Sequence, residues 1–118
     1  MIDLNNFTQS ARENFDLDLL QGEVDGGVIS REQIDEIEKN PKAKSIIISG
    51  LKQDTFDYFV RKYGYQFEAI SFWKNKSVED LSSLGLLKEV RYINYFFNQR
   101  AVDLWDMSEN LNLIGLGI

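Results

Sequence analysis

"FEAISFWKN", Phe67 to Asn75, and "VRYINYFFN", Val90 to Asn98, are one pattern written twice. Positions 1, 4, 6 and 9 of the first are Phe67, Ile70, Phe72 and Asn75; 23 residues on, the same places hold Val90, Ile93, Tyr95 and Asn98. A further 23 residues on, Leu113, Leu116 and Ile118 take positions 1, 4 and 6. Stepping back 24 from Phe67 gives Ala43, Ile46, Ile48 and Leu51, with Leu51 standing where the others carry asparagine. The stretches between agree as well. Val78, Leu81, Leu84 and Leu87 follow Asn75 in steps of three, and Ala101, Leu104 and Met107 follow Asn98, with Asn110 next in step.

A recurrence of this length is the mark of stacked units. Each unit holds one short strand and one return segment. Alone it cannot bury its apolar side, so neighbours stack and share a core. The return supplies the crossover that parallel strands need. The pattern resembles the leucine-rich repeat family, whose unit runs L-x-x-L-x-L-x-x-N before a helical or 3₁₀ return. The resemblance covers residues 43–118, with aromatics in place of several leucines. It implies an α/β, right-handed leucine-rich-repeat-like solenoid of about four parallel strands with helical or 3₁₀ returns. It also implies a ladder of asparagine side chains through Asn75 and Asn98, a role that Leu51 cannot fill. The rival reading of the same spacing is an ordinary α/β domain of three strands with intervening helices.

Two returns have signals of their own. "DTFDYFVRKY", residues 54–63, places Phe56, Phe59, Val60 and Tyr63 on one helical face, with Asp54 as N-cap and Gly64 as its end. Upstream, "SREQIDEIEKN" begins with Ser30 and has Gln33 three residues on, which is a capping box. Ile34 and Ile37 form its apolar stripe, and Asn40-Pro41 ends it. Residues 1–42 are therefore expected to form an acidic, helical N-terminal cap on the solenoid, within one structural domain. "FDLDLL" alternates from Phe15 to Leu19 and can add a strand.

Composition narrows the chemistry. The 118 residues are 43% hydrophobic and 13% aromatic, enough for a packed core. Cysteine and histidine are absent, so the chain has no thiolate chemistry, no disulfide and no imidazole base or ligand. Ser45/Ser49 and Ser82/Ser83 have no histidine to activate them. The carboxylate pairs Glu79/Asp80 and Asp103/Asp106 fall on returns expected to be solvated rather than across a cleft. The expectation is no enzyme, no cofactor and no metal. "QGEVDGGVISRE", Gln21 to Glu32, touches the EF-hand pattern with Gly26 at the sixth place. Gln21 at the first place is a poor calcium ligand, so a calcium-dependent module ranks below an acidic turn.

Net charge is −6, and residues 1–40 alone carry ten acids against three bases. Residues 41–118 carry nine acids against ten bases, with no basic stripe. Neither nucleic acid nor an anionic membrane is the expected partner. No apolar run approaches the length of a membrane span and no secretory signal stands at the start, so the expectation is a soluble, cytoplasmic protein.

Period-two alternation sends the remaining strand residues to the other, concave face of the sheet. Successive units place Ser45/Ile47/Ser49, Ala69/Ser71/Trp73, Tyr92/Asn94/Phe96 and Gly115/Gly117 there. Trp73, Tyr92 and Phe96 then cluster among small residues beside Ile47 and Asn94. An exposed patch of this kind needs a cover, and these residue types dominate protein interfaces. The expected function is protein binding through Ile47, Trp73, Tyr92, Asn94 and Phe96. The resemblance extends this to an inhibitor or immunity-type protein. Equally open is a cover formed by the N-terminal segment or a second copy of the chain. The structural alternative is a homo-oligomer, or a piece of a longer repeat array, assembling through an edge at Leu113, Leu116 and Ile118.

Overall fold

The computed structural model describes residues 15–19, 28–73, 78–96, 110 and 115–117, the last three and Tyr95 and Phe96 by backbone alone. The chain is α/β. Strands β1 (Leu17–Leu19), β2 (Ser45–Ser49), β3 (Ala69–Trp73), β4 (Tyr92–Phe96) and β5 (Gly115–Gly117) form one sheet in chain order, and every neighbouring pair is parallel. Helix α1 (Arg31–Ile34) runs into a 3₁₀ turn (Asp35–Lys39), α2 (Gln53–Tyr63) runs into another (Gly64–Gln66), and a third 3₁₀ turn (Ser82–Leu86) lies between β3 and β4.

The repeat sets the register. Ala69 pairs with Ser45 on one side and Tyr92 on the other, and Tyr92 pairs with Gly115. Ile47, Ser71, Asn94 and Gly117 form the next row, and Ser49, Trp73 and Phe96 the one after. The expected trios are thus real columns. Ala43, Ile46, Ile48, Leu51, Phe67, Ile70, Phe72, Val90 and Ile93 all lie in one buried cluster on the helical side. Val78, Leu81, Leu84 and Leu87, the residues spaced by three, join them. At its centre Phe72 packs against Phe56 and Phe59, with ring centroids 5.3 and 6.0 Å apart.

Several expectations change. The sheet has five strands, because "LDL" of Leu17–Leu19 pairs with Ile46, Ile47 and Ile48. With β1 outside β2, the Ser30 helix is the crossover between them, not a cover over the end of the core. Ile34 and Ile37 sit in the same buried cluster as the other returns. Its capping box is present: Ser30 Oγ accepts the Gln33 N–H at 3.2 Å, and Gln33 Oε1 accepts the Ser30 N–H at 2.8 Å. At α2 the cap is not Asp54. Lys52 is the N-cap residue, and its N–H donates to Thr55 Oγ1 at 2.9 Å. Gly64 does follow α2, but with φ −56°, so it continues as a 3₁₀ turn rather than reversing the chain. Gly50, after β2, is the position that needs glycine for its backbone, with φ 76°.

Asn75 and Asn98 lie outside the described residues. Side-chain amides nevertheless tie successive strand–return units together elsewhere. Gln66 Nε2 donates to the carbonyls of Asn40 and Ala43, both at 2.9 Å. Asn110, 6% exposed, donates to the carbonyls of Leu84 and Leu87 at 2.8 and 2.6 Å. In each case the residues accepting are 26 and 23 positions earlier and close a 3₁₀-type turn of their own. Gln53 Oε1 accepts the N–H groups of Glu79 and Asp80 at 3.0 and 2.9 Å, while Nε2 reaches the Asp80 carbonyl. These amides bond turn backbone of a neighbouring unit, and at Asn40 and Leu84 they add a second donor to carbonyls that already accept a turn N–H.

Candidate functional site: the non-helical face of the sheet

The face opposite the helices carries a second, smaller cluster: Phe15, Ile47 and Ala69, with Trp73 and Tyr92 packed against it half-buried. Phe15 precedes β1 and is held over this face by its neighbour. Asp16 Oδ2 accepts the N–H groups of Lys44 and Ser45 at 2.8 and 3.3 Å, and the Asp16 N–H donates to Ser45 Oγ at 2.9 Å.

The chain covers much of the face that the sequence reading left open. Ile47 is 5% exposed and Asn94 1%, and Ser45, Ser49 and Ser71 are buried too. Ile47 and Asn94 are therefore interior residues and not the surface contacts expected of them. The physical reason is general: parallel sheets are ordinarily packed on both sides. Trp73 and Tyr92 stand on neighbouring strands of this face and keep part of their surface in solvent. Phe96 pairs with Trp73 in register, but its side chain lies outside the described residues. The same holds for Leu116, which pairs with Ile93, and Leu113 and Ile118 are outside them altogether.

One feature of the outer side was not anticipated. Asp35, on the first crossover, accepts hydrogen bonds from the hydroxyls of Tyr58 (2.6 Å) and Tyr63 and from Lys62 Nζ at 3.4 Å. The Tyr63 hydroxyl shares its hydrogen with Glu38 Oε1 at 3.0 Å, and Arg31 lies over the Tyr58 ring at 4.9 Å. Hydrogen bonds from Tyr58 first, then Tyr63, hold the Asp35 carboxyl below its ordinary range, with Lys62 adding to them. Burial, then Asp35 and Glu38, push the Tyr63 hydroxyl up. The Tyr58 contact leads those that raise Lys62. The signal was in the sequence, since Asp35, Tyr58 and Tyr63 stand 23 and 28 residues apart, about one repeat. The cluster ties α1 and its 3₁₀ extension to α2.

Among the described residues no three His, Cys, Asp or Glu side chains group as a metal site would require. No helix among them is long and apolar enough to cross a membrane. Comparisons with protein-family models, with curated proteins and with solved structures gave no match.

Proposed function

We propose that the chain is a small leucine-rich-repeat-like solenoid and a non-enzymatic, cytoplasmic protein-binding module, of the kind an inhibitor or immunity-type protein would use. Two things support the solenoid. The strands lie in chain order and in parallel. The cross-unit side-chain bonds, from Asp16–Ser45 to Asn110–Leu87, span only 23 to 29 residues, so each unit touches the next. The binding reading rests on Trp73 and Tyr92, which remain partly open on a face whose small residues are buried. Half-exposed aromatics beside a packed floor are the chemistry of an interface anchor. Ile47, Asn94 and Ser71 then serve as the floor, not the contact.

The test is affinity capture of a partner, followed by titration of that partner with Trp73→Ala and Tyr92→Ala proteins whose circular dichroism is unchanged. Loss of at least tenfold in affinity on either substitution supports the reading, since interface anchors contribute about 2 kcal/mol or more. Unchanged affinity for both would remove this face from the account. The second reading, assembly between copies, is favoured by β1 and β5 lying at opposite ends of the described parallel sheet. It requires a solution mass that is a multiple of 13.7 kDa and that falls on Leu116→Lys.

A further inference from the structure

Asn94 is an uncharged polar side chain in the middle of the sheet, 1% exposed, and its Oδ1 has no hydrogen-bond partner among the described residues. A buried acceptor left unpaired costs about 1–3 kcal/mol, so folded chains rarely keep one without a donor. Its surroundings say which donor fits. In register on either side stand Ser71 and Gly117, and Ala69 and Gly115 are on the preceding row. Ser71 and Ala69 are small, with Tyr92 in one neighbouring row and Trp73 in the other. Ser71 is 3% exposed and pairs with Asn94 in register on the neighbouring strand. No described side chain in these rows carries a charge, which disfavours an ion.

We propose an internal hydration site beside Asn94, in which one water molecule donates to Asn94 Oδ1 and bonds the Ser71 hydroxyl. A water needs two to four polar partners and about its own volume. The Asn94 oxygen and the Ser71 hydroxyl supply the first, and the small side chains of Ser71 and Ala69 contribute to the second. The bridge would join β3 to β4 through side chains in addition to the backbone ladder. It does not depend on the protein-binding reading.

A crystal structure of the intact chain at about 1.5 Å or better tests it. The expected result is a well-ordered water about 2.7–3.1 Å from both Asn94 Oδ1 and Ser71 Oγ, absent from Asn94→Leu and retained on Asn94 in Ser71→Ala. No water on Asn94 Oδ1, or a protein donor there, overturns the proposal. If Asn94→Leu does not fold, the unaltered protein decides the matter alone. Water–amide cross-relaxation at residues 94 and 117 gives a second reading in solution.

Discussion

At the scale of single residues, Gly64 shows how tightly the return segments are stacked. Its φ of −56° suits any residue, so backbone freedom is not why glycine stands there. A Cβ at this position would come within 2.5 Å of Leu87 Cδ2, and Leu87 is 2% exposed. We expect Gly64→Ala to cost about 1–3 kcal/mol by overpacking, read from chemical denaturation. In a Leu87→Ala background the same change should cost less or even stabilise, because only the helix preference of alanine remains. Equal cost in both backgrounds would contradict the contact. The Asp35 cluster makes a prediction about pH. Asp35 has a lowered pKa when folded, so its contribution is present above its ordinary value of 3.8 and is lost as pH falls through the folded value. Tyr63 and Lys62 are raised from 10.0 and 10.5, so theirs is present below those values and is lost as pH rises through the folded ones. The contribution of this cluster to stability should therefore be flat between about pH 5 and 9. Asp35→Asn should reduce the acid limb of a denaturation series, and an unchanged acid limb would refute the role given to Asp35.

Among the elements, the strands were legible in the sequence and the ties between returns were not. Ile70 and Ile93, or Phe67 and Val90, recur at a fixed step because each must face the same core, and period two then fixes the opposite face as well. Nothing local says whether that opposite face is covered. Ile47 reads the same whether Phe15 lies over it or water does, so its burial and that of Asn94 were beyond the sequence. The strand Leu17–Leu19 is too short for its alternation to decide anything without its partner. The asparagine ladder was sought at Asn75 and Asn98 by resemblance, whereas the described ties come from Gln53, Gln66 and Asn110, whose role depends on which carbonyls the neighbouring turn leaves free. Lys52 rather than Asp54 is the N-cap of α2 for a similar reason: the Thr55 hydroxyl reaches the Lys52 N–H. Asn110 gives the test at this scale. Asn110→Ala leaves the Leu87 carbonyl without this donor and the Leu84 carbonyl with only the Leu87 N–H, and should cost about 1–3 kcal/mol, seen as a lower Tm. A loss within about 0.5 kcal/mol, as for an ordinary surface change, would mean the tie is not formed.

For the whole molecule, the account depends on parallel strands laid side by side in chain order, since the two faces, the aromatic pair and the ties between returns all follow from it. The absence of cysteine makes the register open to direct measurement with introduced pairs. Ala69 pairs with Tyr92, and Trp73 with Phe96, at opposite ends of β3 and β4. In a parallel pair, cysteines at 69 and 92 fall within the Cα separation of about 4.4–6.8 Å that a disulfide needs, while those at 69 and 96 are a strand length apart. An antiparallel hairpin reverses the two. The decisive measurement is the extent of disulfide formation under mild oxidation in the folded double variants. The account predicts ready closure of Ala69→Cys/Tyr92→Cys and none in Ala69→Cys/Phe96→Cys; closure of the second pair with the first left reduced would contradict it.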